Sequence, residues 1–312
     1  MTKRARTRSP FEASRPSDPA SDDSRGEPHA RKPSGRLHVV ATPIGNLGDI
    51  SERAKATLAG VDLVVCEDTR VTGNLLRHLG LNRPLLAYHE HNAARVRPRL
   101  LEDLAAGREL ALVSDAGTPC ISDPGHKLVR EAAAAGVEVV AVAGPSAVVA
   151  ALSIAGLPTD RFLFAGFLPA KAQARRTALA ELRDVRATLV LYESPQRLAD
   201  CLADAAAVLG PREAAIAREL TKRFEEVRRG DLAGLAATLA AEPPPKGEIV
   251  LVIGPPDPDA AVLDDAAIDA ALADALTRLG PSEAAAEVAA VAGRPRREVY
   301  RRALALKGGG GG

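Results

Sequence analysis

An α/β architecture of two domains with a small helical region after them is predicted by three observations. Short apolar runs alternate with helical patterns over most of the chain, loops rich in glycine or charge follow those runs, and the run beyond residue 256 is alanine-rich with no strand candidate. The expected organisation is a disordered tail over 1–35, an N-terminal α/β domain over 36–157, a second α/β domain over 158–256, a helix-turn-helix-like region over 257–307 and a flexible end over 308–312.

Order is expected to begin with an apolar run at 37–42, a strand that feeds the glycine loop Pro43-Ile-Gly-Asn-Leu-Gly48 and a helix capped by Asp49 or Ser51. The unit repeats: strand 61–66 and helix 71–79 closed by Gly80, strand 85–88 and helix 92–104, strand 110–113 and a helix that ends near Gly136. Strand 137–143 then leads to Gly144-Pro-Ser146, where serine is placed to cap the next helix. Such alternation implies a mostly parallel sheet with helices on both faces. Gly156-Leu-Pro-Thr-Asp160 permits no regular structure and reads as the hinge between domains. Beyond it, strand 161–167, helix 173–184, strand 188–193 and helix 196–209 continue the pattern. Segments 213–219 and 225–229 are joined too briefly for a crossover and should run antiparallel, before helix 231–241 and a closing strand at 248–253. The second sheet should therefore be mixed. At the C-terminal end, residues 282–293 and a densely basic segment from Arg294 resemble two helices about a tight glycine turn, either a nucleic-acid reader or a solvated helical cap.

With 312 residues, 46% hydrophobic and 26% charged, the chain can bury a core in each domain. No apolar run approaches the roughly 20 residues of a membrane span, and no apolar signal core opens the chain, so a cytoplasmic protein is expected. Cys66, Cys120 and Cys201 fit neither a disulfide framework nor a zinc pattern and should be reduced and buried. The net charge of +1 conceals local asymmetry: through Arg36 the tail carries nine Lys or Arg against five Asp or Glu. Whole-chain charge therefore does not exclude nucleic acid.

The dominant motif is Ser114-Asp-Ala-Gly-Thr-Pro-Cys-Ile-Ser-Asp-Pro-Gly125, set between a buried strand and a helix, where open parallel sheets bind ligands. Its glycines allow close backbone approach, Asp115 supplies charge, and Ser122, Asp123 and Pro124 suit a helix start. With 43–48 and 144–146 it makes three loops at one sheet edge, hence a pocket. The loop at 43–48 lacks both G-x-G-x-x-G and a P-loop lysine, which argues against dinucleotide and nucleoside-triphosphate chemistry. Glu67-Asp-Thr-Arg70 ends another strand, and Arg70 suits either a phosphate or an internal ion pair with Glu67 or Asp68. His89 and His91 at i and i+2 lack a second ligand cluster, so no metal is expected, and a substrate contact or base is preferred. Glu193, ending a second-domain strand, either projects near the cleft or caps the helix that follows.

These motifs, with Val-Ala-Thr-Pro-Ile-Gly-Asn-Leu-Gly-Asp-Ile from Val40, Tyr88-His-Glu-His91, Tyr192-Glu-Ser-Pro195 and Lys246-Gly-Glu248, carry a resemblance. Over roughly 37–305 the chain resembles the ribosomal RNA small subunit methyltransferase I family, within the tetrapyrrole methylase superfamily. The resemblance implies a homodimer that uses S-adenosylmethionine, held in the cleft between two α/β domains, to methylate a cytidine ribose 2'-hydroxyl in the decoding region of 16S rRNA in the small ribosomal subunit. By that resemblance the cofactor residues are Pro43, Asp115, Ala116, Gly117, Ile121, Ser122, Gly144, Pro145, Ser146 and Ala147, joined from the second domain by Tyr192, Lys246 and Gly247.

Methyl transfer from a sulfonium disperses positive charge, so alignment of the acceptor is the main demand. A ribose hydroxyl is a weak nucleophile and benefits from a base. Chemistry alone nominates Glu193, His89 and Glu90 for that part, and Arg70, Arg95, Arg97, Arg99 and Arg297 for RNA phosphates. Two further readings are a methylase of a small tetrapyrrole and a non-catalytic ribosome binder of the same fold. The basic C-terminal helices and the Tyr-His-Glu-His segment disfavour the first, and the intact glycines with Asp115 disfavour the second.

Overall fold

The computed structural model describes residues 35–257, 265–292 and 294–308. The expected tail as far as residue 34, the turn at Gly293 and the glycines after Gly308 lie outside the described residues.

The first sheet comprises β1 (Arg36–Val40), β2 (Leu63–Cys66), β3 (Leu85–Ala87), β4 (Leu110–Val113) and β5 (Glu138–Val142), all parallel, in the order β3-β2-β4-β1-β5. Between them run α1 (Glu52–Gly60), α2 (Thr69–His78), α3 (Ala93–Ala105) and α4 (His126–Ala134). Strand alternation divides the core: Leu63, Val65, Leu110 and Leu112 pack with Leu100, Leu104 and Leu128 of α3 and α4. Val64, Cys66, Ala111 and Val113 pack with Leu58 and Leu76 of α1 and α2. Neighbouring β1 and β4 thus send their helices to opposite faces, which opens a crevice beyond their C-terminal ends.

Two helix starts differ in detail from expectation. Of the two caps proposed for α1, Ser51 serves, its hydroxyl accepting from the Ala54 amide at 3.1 Å. Ser122-Asp-Pro does not open α4, which begins after Gly125. The reason is conformational: Ser122 has φ 59° and Gly125 φ 140°, so that stretch is not helical.

The chain continues through α5 (Ala147–Ala155), β6 (Phe162–Phe167), α6 (Ala172–Glu181), β7 (Thr188–Glu193), α7 (Leu198–Leu209), β8 (Glu213–Arg218), β9 (Glu226–Asp231), α8 (Leu232–Ala241) and β10 (Ile249–Ile253). The second sheet has the order β6-β7-β10-β8-β9; β6 and β7 are parallel and the remaining pairs antiparallel, as the short β8–β9 connection demands. Helices α6, α7 and α8 cover one face through Leu179, Leu198 and Leu235. The other face offers Val190, Ala215, Ala217, Val250 and Val252 to α5 and to Ile44 of the first glycine loop.

Helix α5 therefore joins the two halves. It precedes the expected boundary at 157 yet packs under the second sheet, because its sequence Ala-Val-Val-Ala-Ala-Leu-Ser-Ile-Ala is apolar nearly all round. Burying Val148 and Leu152 stabilises that contact by roughly 1.5–3 kcal/mol each. Arg229 of β9 donates to the Ile154 and Ala155 carbonyls, satisfying orphan acceptors at the helix end.

Last come α9 (Asp265–Leu276), α10 (Pro281–Ala292) and α11 (Arg296–Gly308). Among the described residues, the buried members of their core, such as Ile268, Leu272, Ala284, Val288, Val299 and Ala303, lie on these three helices. Arg302 grips Asp269 through two 2.8 Å bonds and lies 2.9 Å from Asp265. No described helix is long and apolar enough to cross a membrane.

Candidate functional site

The loops after β1 and β4 are fastened together. Thr42 and Gly117 exchange backbone hydrogen bonds of 2.9 and 3.1 Å, and the Thr42 hydroxyl donates to the Ser114 carbonyl at 3.1 Å. Thr118 Oγ1 donates to the Pro145 carbonyl at 3.1 Å, which ties in the loop after β5. The three loops thus meet beyond the edge where β1 and β4 diverge. Among the described residues, four besides glycine have left-handed backbone: Cys120 and Ser122 in the long loop, Glu219 and Thr221 in the loop after β8. Such conformations cost of order 1–3 kcal/mol and concentrate at functional sites.

Between the two sheets lies a cavity of about 410 Å³, within the range of small-ligand sites. The first domain contributes Ile44, Ala116, Gly117, Thr118, Ile121, Ser122, Asp123, Ser146 and Ala147. Facing them are Phe167, Tyr192, Ser194, Pro195, Ala217, Leu220, Gly247, Glu248 and Val250. Among the expected cofactor residues, Ala116, Gly117, Ile121, Ser122, Ser146, Ala147, Tyr192 and Gly247 stand in this wall.

Pro43, Asp115, Gly144, Pro145 and Lys246 do not line it. Asp115 instead accepts the Asp68 amide at 3.1 Å and braces the loop after β2. Gly144 lets β5 pass Ala41 closely, since a Cβ there would lie 3.1 Å from the alanine methyl. Lys246 is exposed, and its carbonyl accepts from Arg218 at 3.1 Å. Ser146 occupies the N-cap of α5 without a side-chain cap bond.

The wall residues that sequence reasoning missed are mainly apolar positions of the second sheet and its loops, Ala217, Leu220 and Val250, with Ile44, Thr118 and Phe167. Alternation on β8 and β10 pairs Ala217 with Val250 on one face, but nothing local says that this face meets the cleft. Thr118 and Asp123 lay inside the recognised loop.

Glu193 corrects an expectation. Tyr192 faces the cleft, its ring edge-on to Phe164 and Phe167 at 4.9 and 5.5 Å between centroids, so the alternating strand turns Glu193 the other way. Although Glu193 counts among the cavity-lining residues, its side chain is 0% exposed. Its carboxylate accepts the Ser194 amide at 2.7 Å and Arg197 at 3.2 Å. It holds the turn into α7 rather than projecting into the cleft. Nearby, burial and then the Glu193 charge push the Cys201 thiol up to about 12.

The remaining charges of the cleft are disposed unevenly. Lys222 bridges Glu219 and Glu248 at 2.8 and 3.0 Å, and its stem lies so close to Gly45 that a Cβ there would fall 2.5 Å from it. Burial raises the Asp123 carboxyl above its ordinary value, with Asp115 adding to the shift and a hydrogen bond from Ser114 opposing it. Burial, then Asp115 and Asp123, likewise raises Glu67. Tyr192 is raised by burial and by the facing Asp123.

His89 and Glu90 do not line the cavity. His89 is half-buried, its backbone amide donates to Asn92 Oδ1 at 2.9 Å, and its Nδ1 is buried without a partner. Glu90 is exposed. Among the described residues no group of three His, Cys, Asp or Glu side chains gathers for a metal. Of the arginines, Arg70 is 88% exposed and paired with Asp68 at 2.6 Å, so the ion-pair reading holds there and keeps the Asp68 carboxyl down at about 2. Arg97 is no surface cation: only 17% exposed, it donates to Glu131 at 2.9 Å. Arg95, Arg99 and Arg297 are exposed and form no ion pair with a described residue.

Comparison with known proteins agrees with this architecture. A family model described as Tetrapyrrole (Corrin/Porphyrin) Methylases matches residues 36–236, and one described as RsmI C-terminal HTH domain matches 262–307. A protein of Mesorhizobium japonicum named Ribosomal RNA small subunit methyltransferase I is 51% identical over 279 residues, covering 89% of this chain and 94% of that protein. One of the same name from Xylella fastidiosa is 51% identical, covering 85% and 98%. Among solved structures, uroporphyrin-III-C-methyltransferase from Thermus thermophilus superposes with a TM-score of 0.52 at 23% identity, covering 70% of this chain and 94% of that one.

Proposed function

The chain belongs to the ribosomal RNA small subunit methyltransferase I family of the tetrapyrrole methylases, and from that membership we propose that it methylates the 2'-hydroxyl of a cytidine ribose in the decoding region of 16S rRNA. Its methyl donor is S-adenosylmethionine. The observation that carries the proposal is the cavity at the junction of β1, β4 and the second sheet. Apolar walls from Ile44, Leu220 and Val250 suit a purine, and Gly117 and Gly247 leave room for a ligand beside the backbone.

Bound there, the donor supplies an electrophilic methyl on a sulfonium. The protein's part is to align the acceptor behind it and exclude water, with Ala116, Gly117, Ser146, Ala147, Tyr192 and Gly247 as the holding residues. Pro43, Asp115, Gly144 and Pro145 act one layer back, by fixing the loops. Arg95, Arg99 and Arg297, exposed and without an ion pair among the described residues, are among the cations open to phosphates. Assembly as a homodimer belongs to the same reading. It is supported by Phe162 and Leu163, which stand 48% and 38% exposed on edge strand β6.

The test is incubation with methyl-labelled S-adenosylmethionine and small ribosomal subunits lacking the modification, followed by mass spectrometry of the labelled nucleotide. Label on a cytidine ribose is expected. Label on a base, or on an added tetrapyrrole alone, would refute the proposal.

A further inference from the structure

Three carboxylates belong to residues lining the cavity, and two of them already have cationic partners. Glu193 is buried against Arg197 and the Ser194 amide, and Glu248 lies 3.0 Å from Lys222. Asp123 is different. No described cation pairs with it; the buried, neutral hydroxyl of Ser114 is its polar neighbour, and it faces Tyr192 across the cleft. The backbone fixes that placement. Left-handed Ser122 on one side and Gly125 at φ 140° on the other take Asp123 out of the helix start its sequence suggests. A Cβ on Gly125 would lie 2.8 Å from Leu112 and 2.9 Å from Cys120, so the turn is enforced by the core beneath it.

We propose that Asp123 accepts the proton of the acceptor hydroxyl during methyl transfer, a role that rests on the methyltransferase reading above. As the oxygen–methyl bond forms, the O–H bond breaks and its proton passes to an Asp123 carboxylate oxygen. The carbon–sulfur bond breaks with its electron pair returning to sulfur, so the sulfonium becomes a neutral thioether and charge balances. A carboxylate without a cation keeps its basicity, whereas those of Glu193 and Glu248 are already stabilised by Arg197 and Lys222. The elevated Asp123 carboxyl fits this task, since raising it towards the working pH improves proton acceptance.

The experiment compares wild type, Asp123→Asn and Ser114→Ala in single-turnover methylation of unmodified small subunits across pH. Donor affinity is measured by calorimetry, folding by thermal melting, and the Asp123 carboxyl is titrated by carbon NMR in the free protein. Asp123→Asn should keep donor affinity and lose about 10²–10⁴-fold in rate, the usual worth of a positioned base. In the wild type the rate should rise with pH through the Asp123 titration, above the ordinary 3.8. Ser114→Ala, which removes a neighbouring hydroxyl that favours the carboxylate, should move that limb and the NMR titration to higher pH together. Ser114→Ala tests the role even if Asp123→Asn fails to fold. An unchanged rate in Asp123→Asn, a rate loss matched by lost donor binding, a limb that Ser114→Ala does not move, or an NMR titration at or below 3.8 would each overturn the assignment. If the wild type places no label on ribose, the functional reading fails and this role with it; equal ribose labelling by wild type and Asp123→Asn removes this role alone.

Discussion

At the scale of single residues, the cleft depends on positions where a side chain has no room. Gly247 has φ 98°, and a Cβ there would lie 2.4 Å from the Glu219 side chain, which holds Lys222. Gly247→Ala should therefore displace Glu219, loosen Lys222 beneath Gly45 and weaken donor binding about tenfold, roughly 1.4 kcal/mol, as read by calorimetry. A second residue-scale prediction concerns Asp204, whose side chain is 6% exposed and lies 2.6 Å from both Arg175 and Arg176. Burial raises its carboxyl, but the hydrogen bonds from Arg176 and Arg175 outweigh it, and the net result is below 3.8. The stabilisation is complete above the unfolded value and is lost as pH falls through the lower folded one. Denaturant midpoints should drop as pH falls through and below the ordinary carboxylate range in the wild type, and less steeply in Arg175→Ala. At neutral pH that variant should lose stability, by less than the roughly 3–5 kcal/mol of a wholly unpaired buried charge, because Asp204 keeps Arg176.

Residue identity was most legible where local geometry decides it. Gly117 and Gly125 were legible as positions that need glycine, since their φ values of 89° and 140° are left-handed backbone that a side chain rarely adopts. Arg97 shows a signal passed over: it lies three and seven positions before Leu100 and Leu104, both buried, so the helical period already placed it towards the core. Arg95 and Arg99 fall off that stripe and are exposed.

Among the elements, the three C-terminal helices bury a core of their own, so their stability should be separable from the cleft. Leu272→Ala, at a fully buried position, should cost that unit about 2–5 kcal/mol. Amide exchange should quicken across α9, α10 and α11 while donor affinity stays at the wild-type value. Equal acceleration in both sheets would contradict the separation. Strand existence was legible because short continuous apolar runs between turn signals, such as residues 110–113 and 249–253, suit strands buried on both faces. Helix α5 was legible as a helix but not as a bridge, since an apolar stretch states that it is covered without stating by what.

For the whole molecule, the loops that build the cleft and the exposed basic face of α11 are carried by different units, so donor binding and RNA binding should respond to different substitutions. Arg297 and Arg301 lie one turn apart on α11, both exposed and unpaired, whereas Arg302 is taken by Asp265 and Asp269. Replacing Arg297 and Arg301 by alanine should weaken binding to the small subunit and reduce its logarithmic salt slope by about 2, with donor affinity unchanged. An unaltered slope, measured by binding titration over several salt concentrations, would show that this face does not meet phosphate.

The sequence by itself determined the alternation of strands and helices, the mixed character of the second sheet and the loop from Ser114 to Gly125, because periodicity and glycine act over a few residues. Only the tertiary structure decided which face of the second sheet closes the cavity, that Glu193 turns away from it, and that Asp123 stands in it without a cation. Those outcomes depend on residues such as Arg197, Lys222 and Ser114 arriving from other turns and strands. Periodicity assigns a side chain to one face of its own element, and the packing of distant elements decides what that face meets.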